Sequence, residues 1–236
     1  CTYTNTVTVT VNPAPTTPII TPGSAAICAG STQSGITAAS TAITTQSFSG
    51  AALTIPATGN PGLSTPYPAT ATVSGLPTSG VTVLRVIMTG THTWNNDMDV
   101  LLRSPTGQNI VVMSDCGDDG AGPDWTGTYT YQDGSPAMTT GTNVADTYAC
   151  TNLGAGGGAT PGVDLWPAPG PGATPPSIAN LAAFTGNMNG VWNLYVVDDT
   201  GVDSGNITAW SIVFQFNGVT YTWSPATGLN TTTGAV

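Results

Sequence analysis

All twelve acidic residues of this 236-residue chain are aspartates, and five of them crowd into two short segments, DMD at 97–99 and DCGDD at 115–119. Two apart on a strand, Asp97 and Asp99 would project their carboxylates from one face about 7 Å apart, a gap that a single hard cation can bridge. Asp115, Asp118 and Asp119 fall in a Gly-rich loop after the next strand, at the same end of a hairpin. Oxygen-only ligands drawn from a strand end and a loop suit calcium, which takes six to eight oxygens at about 2.4 Å, and do not suit zinc. The expected cofactor is therefore Ca2+. The competing use of aspartate in Gly-rich turns is to accept backbone N–H bonds. For the later Asp198, Asp199 and Asp203 that turn-forming role is the preferred one.

Catalysis finds little support in the residue types. His92, in THTW just before the hairpin, is the only histidine, and a lone histidine in a β-sandwich is read as a hydrogen-bonded structural residue. No Gly-x-Ser-x-Gly elbow occurs, and no cysteine stands beside a plausible base. A glycosidase needs two carboxylates in different environments, and no apolar pocket is evident that would raise one of the DMD pair above the other. The chain is not expected to be an enzyme. Trp94, Trp125 and Trp166 lie in or near loops where an indole could stack on a sugar ring, although packing or loop anchoring is the preferred use of each. Surface glycans accordingly stand as a second class of partner.

The elements that position these residues are strands. The chain has no Lys and no Glu, and its only basic side chains are Arg85 and Arg103. Thr, Val, Gly, Pro and Asn dominate instead, so helix is disfavoured nearly everywhere and an all-β fold is expected. A net charge of −10 leaves nothing to neutralise phosphates, which excludes nucleic acid as a partner. No apolar run approaches the ~18 residues of a membrane span, so no membrane insertion is expected. The first residues carry no basic segment, so any signal peptide is expected to lie outside this sequence. The four cysteines, Cys1, Cys28, Cys116 and Cys150, lack the tight spacing of a zinc site. In so Thr- and Asn-rich a chain they point to an oxidising, extracellular setting. A Cys116–Cys150 disulfide is expected because both lie in loop-like stretches of one domain. Cys1 and Cys28 pair either with each other or with neighbouring repeats or molecules.

Along the chain, TYTNTVTVTV alternates apolar and Thr positions as a half-buried strand that stops at Asn12–Pro13. The expected organisation is a closing strand at 1–12, a Pro/Thr-rich linker and start of the next unit at 13–43, a main unit at 44–217 and the start of a further unit at 218–236. Strands are expected at Ala69–Ser74, Val81–Met88, Met98–Arg103, Asn109–Met113, Val191–Val197 and Ile207–Phe216. Alternation turns Met98, Val100 and Leu102 inward, and the SPTG turn after Arg103 makes a hairpin with Ile110 and Val112. Trp192, Leu194 and Val196 on one later strand, and Trp210, Ile212, Phe214 and Phe216 on the next, should form the core. The Gly/Pro-rich stretch 154–176 reads as a surface loop with Trp166 pinned to the sandwich.

In the main unit, SFSGAALTIPATG, ATATVSGL, VTVLRVIMTGTHTWNNDMDVLLRSPTGQNIVVMSD and FTGNMNGVWNLYVVDDTGVDSGNITAWSIVF occur in an order that resembles the P domain, or proprotein convertase homology B domain, of subtilisin-like proteases. The resemblance covers about 170 residues and implies a jelly-roll β-sandwich. It also implies calcium, which members of that family often carry, and Asp133 matches the position of a frequent acidic residue that would complete the shell. The segments TVTVTVNPAP with ITPGSAAICAGST, and VTYTWSPATGLNTTTGAV, resemble joints and interiors of immunoglobulin-like repeats in giant surface proteins of gliding bacteria. Together these resemblances imply a non-catalytic, calcium-stabilised module of a bacterial cell-surface adhesin or filament. Its partners would be neighbouring repeats or subunits of the same protein. The alternative is a carbohydrate-binding module or the accessory domain of a secreted subtilisin-like protease.

Overall fold

A computed structural model describes residues 19–21, 37–39, 43–56, 62–117, 125–153, 164–173, 175–200, 203–218, 220–222 and 233–235. Cys1, Cys28, Asp118 and Asp119 lie outside the described residues. The chain divides into two compact units, one of Thr45–Phe216 and one that joins Cys1–Thr44 with Asn217–Val236. In the second, β1 (Ile19–Thr21) pairs antiparallel with β2 (Thr37–Ala39), and Thr220–Thr222 pairs with Thr233–Ala235. The fold is all-β: among the described residues the only helical pieces are two 3-10 turns, at Asn95–Asp97 and Leu181–Ala183. The helix-like segment expected near Ile178–Phe184 amounts to the second of these turns.

The main unit begins with β3 (Ile43–Gly50), β4 (Leu53–Ile55), β5 (Gly62–Leu63), β6 (Ala69–Val73) and β7 (Val81–His92). There follow β8 (Met98–Arg103), β9 (Asn109–Ser114), β10 (Trp125–Gln132), β11 (Thr147–Tyr148) and β12 (Thr151–Asn152). Last come β13 (Leu165–Trp166), β14 (Gly172–Ala173), β15 (Gly190–Asp198) and β16 (Gly205–Asn217). A single 12-stranded mixed sheet runs β11-β10-β7-β16-β3-β6-β15-β8-β9-β12, with β4 added on β16 and β5 on β15.

This sheet folds over on itself as a jelly-roll sandwich. Inward residues of one half, Met88, Tyr129, Trp210 and Phe214, share a continuous core with Ala71, Val100, Leu102, Trp192 and Leu194 of the other. The halves touch directly where Trp192 meets Phe214 edge-on at 5.5 Å. They join at a corner where β3 passes to β6 through one residue pair, Gly50 with Ala71. A Cβ on Gly50 would land on the Trp210 indole, whose Nε1 donates to the Ala51 carbonyl at 2.8 Å. Only glycine lets the backbone pass that close.

The β8–β9 hairpin forms with its turn closed by Ser104 N–H to the Gln108 carbonyl at 2.9 Å. Its burial departs from simple alternation. Every residue of β9 and all of β8 but Arg103 are buried, because the outer face is covered as well. Leu101, Val111, Tyr195 and Val197 form a second apolar cluster there, capped by Trp166. The stretch expected as an irregular loop thus contains a two-stranded piece, β13 with β14, and Trp166 is pinned with 1% of its surface exposed. Phe216, expected in the core, is only half-buried at the end of β16.

Candidate metal centre

Covering the outer face creates the site. On β8 the odd positions Asp99 and Leu101 share that face, and Asp99 lies beside Val197 of β15. Where Trp166 seals the apolar part, Asp164, two residues earlier in the same segment, comes down on Asp99. The third carboxylate follows β9: Asp115 takes a left-handed conformation with φ 52°, which aspartate tolerates better than most residues. Its own carbonyl accepts from the Asn96 side chain at 3.0 Å. Carboxylate oxygens of Asp99, Asp115 and Asp164 lie within 4.8 Å of one another, and all three residues are buried.

Few hydrogen bonds and no cationic side chain offset these charges. Ser114 Oγ donates to Asp115 at 3.2 Å and Asn152 Nδ2 to Asp164 at 3.1 Å. Arg103 lies four residues along β8 from Asp99, roughly 13 Å at strand spacing, and donates to Asn109 at 3.2 Å. Arg85 sits on β7 opposite Gln132 and Val213. Burial, followed by the fields of Asp164 and Asp199, pushes the Asp99 carboxyl well above the usual range and Asp115 up to about 6. Burial likewise raises Asp164, against hydrogen bonds from Ser114 and Asn152 that pull it back. Such a site is stable only if protons or a cation supply the missing positive charge. Three carboxylates carry six oxygens with no nitrogen or sulfur ligand among them, which is the chemistry of a hard cation. A cleft of about 540 Å³ lined in part by Val111, Asn152, Asp164 and Trp166 opens beside the triad.

The expected ligands therefore divide. Asp99 and Asp115 come together, but Asp97 does not join them. It closes the 3-10 turn Asn95–Asp97 ahead of β8, so the strand spacing assumed for the DMD pair fails at its first residue. Burial, then Asp199, Asp198 and Asp203, with His92 acting in the opposite direction, push the Asp97 carboxyl up to about 7. Asp133 also lies elsewhere: its two oxygens accept from the N–H groups of Leu181 and Ala182 at 2.9 and 2.8 Å, holding the start of the second 3-10 turn. Replacing Asp133 by Ala should cost about 1 kcal/mol of unfolding free energy, the scale of a lost backbone cap, while leaving any cation binding at the Asp99, Asp115 and Asp164 cluster unchanged. Urea denaturation and a calcium titration of that variant check both halves. Asp164 is the residue the sequence reading missed, and its signal was only its position two before a tryptophan.

Three other expectations meet definite geometry. Cys116 and Cys150 are not bonded to each other; both are free thiols. The Cys116 thiol turns to the Ser114 carbonyl at 3.2 Å and the Thr151 carbonyl at 3.7 Å, and burial pushes both thiols up to about 12. His92 is fully buried; its Nδ1 meets the Trp94 carbonyl at 2.7 Å and its Nε2 faces Asp198 at 3.4 Å. Trp125 is fully buried and stacks on Tyr129 at 4.7 Å, so neither it nor Trp166 offers a face to a sugar.

Among the described residues no helix is long and apolar enough to cross a membrane. No family model matches the chain, and no curated protein or solved structure compared with it is significantly similar.

Proposed function

We propose that this chain is a non-catalytic, calcium-stabilised structural and binding module of a secreted bacterial surface adhesin or filament. In this reading a P-domain-like jelly roll stands between immunoglobulin-like repeats and neighbours further copies of the same architecture. One observation carries the calcium assignment: three buried aspartates converge with no cationic side chain to balance them. Burying that much like charge is costly unless a cation binds the folded state, and binding to the folded state alone stabilises it by mass action. The non-catalytic reading is supported by His92, whose ring is sealed in the core between Trp94 and Asp198, out of reach of any substrate.

Calorimetric titration of Ca2+ into chelator-treated protein tests the assignment. One site is expected, in the micromolar to submillimolar range of extracellular calcium modules and sensors, and Asp99→Asn should weaken it at least tenfold. Silence in the titration, together with no terbium luminescence on adding Tb3+, would sink the calcium reading.

A further inference from the structure

Asp164 is unlike the other two members of the triad in how it is held. Asp99 belongs to β8 and Asp115 directly follows β9, both strands of the large sheet. Asp164 directly precedes β13, which among the described residues pairs only with β14 in a two-stranded sheet, so no described backbone ladder ties this hairpin to the sandwich. Side-chain contacts dock it. Trp166 packs on Leu101, Val111, Tyr195 and Val197, Tyr195 Oη donates to the Pro169 carbonyl at 3.2 Å, and Asn152 donates to Asp164. The Trp166 Nε1 is buried without a hydrogen-bond partner, which weakens that docking. Just beyond the hairpin the chain is fastened again, Ile178 N–H donating to the Asn109 carbonyl at 2.8 Å and Asn109 Nδ2 to the Pro176 carbonyl at 3.2 Å.

We propose that residues 164–173 form a strap closed by the cation: a divalent ion bridging Asp164 to Asp99 and Asp115 holds Trp166 over the outer apolar face, and loss of the ion lifts it. The inference rests on the calcium reading above and adds its structural consequence. Without the ion, three carboxylates within 4.8 Å repel one another. The member on the segment lacking a backbone ladder is the one that yields. Coupling of this kind is reciprocal, so the indole that seats the strap is also a positioning residue for the ion, although it contributes no ligand atom.

Amide hydrogen exchange of the wild-type protein, in Ca2+ and in chelator, tests the strap directly. Protection across residues 164–173 should fall at least tenfold on chelation while the amides of β15 and β16 keep theirs. In parallel, Trp166→Ala should weaken calcium binding about tenfold and Trp166→Phe should restore most of it. Calcium binding with unchanged protection of 164–173 would overturn the strap and leave the calcium site standing. An absence of calcium binding in the wild-type protein would remove both.

Discussion

With no cation in solution, the protein should lose stability as the pH rises from about 4.5 to 7.5, the reverse of what ordinary surface carboxylates produce. In the folded protein Asp115 keeps its proton up to about pH 6 and Asp97 up to about pH 7, whereas the unfolded chain releases both near 3.8. Asp99 and Asp164 are raised for the same first cause, burial. Between those limits the folded state binds more protons than the unfolded one, so the unfolding free energy declines with rising pH. The contribution is fully present below 3.8 and is lost as the pH passes through about 6 and about 7. In the calcium reading proposed above, the ion takes the place of the protons at Asp99, Asp115 and Asp164. At a concentration a hundredfold above its Kd it should add about 2.7 kcal/mol at pH 7.5, a rise of about 5–10 °C in midpoint for a unit of this size. At pH 5 the gain should be small, because the ion must displace protons first. Calorimetric melts at both pH values, with calcium and with chelator, give the four midpoints. A chelated protein as stable at pH 7.5 as at pH 5 would contradict the electrostatic account of the triad.

How far this site was legible in the sequence depends on what held each residue. Asp99 and Asp115 were readable because the first lies at the start of β8 and the second directly follows β9, strands whose alternation is strong, so their end of the hairpin could be located. Asp97 misled because strand spacing was extended one residue too far, into a turn that Asn95 and Asn96 begin. Asp133 was expected as a ligand only from the resemblance to the P domain, and its oxygens are committed to two backbone N–H groups, a use no spacing rule separates from metal ligation. Asp164 was invisible for a different reason. Its place is decided by Trp166, and Trp166 by an outer face whose apolar residues, Leu101 and Val111 among them, read as the second side of a half-buried hairpin.

The same distinction runs through the fold. The strands from β6 to β9 and the pair β15 and β16 stand within a few residues of their expected bounds, because period-two patterning and the turn at Ser104–Gly107 specify them locally. What local pattern cannot specify is which layer each strand joins. β15 and β16 are consecutive in sequence but lie in different halves, β15 between β6 and β8 and β16 between β7 and β3. Their apolar residues face each other across the core instead of lying side by side. The Cys116–Cys150 bond was inferred from loop-like surroundings. Cys116 is instead fully buried at the end of β9, where its thiol serves backbone carbonyls.

Trp192 is where that cross-layer arrangement can be measured. Its ring is fully buried on β15, its Nε1 donates to the Met188 carbonyl at 2.9 Å, and it meets Phe184 edge-on at 4.9 Å and Phe214 at 5.5 Å. Trp192→Ala removes the largest side chain of the central strand and leaves a cavity, at a cost of about 3–5 kcal/mol. In a domain of this size that lowers the midpoint by about 10 °C. Trp192→Phe, which keeps the ring contacts but forfeits the hydrogen bond and part of the area, should lose roughly half as much. Denaturant unfolding of both variants supplies the numbers, and a loss under 1 kcal/mol for Trp192→Ala would mean the ring is not in the core. The sharper comparison pairs Trp192→Ala with Phe214→Ala. Side chains in direct contact couple by about 0.5–3 kcal/mol in a double-mutant cycle, whereas separated ones add. A cycle that closes to zero would show that the two layers do not meet at this pair, and the sandwich as described would have to be redrawn.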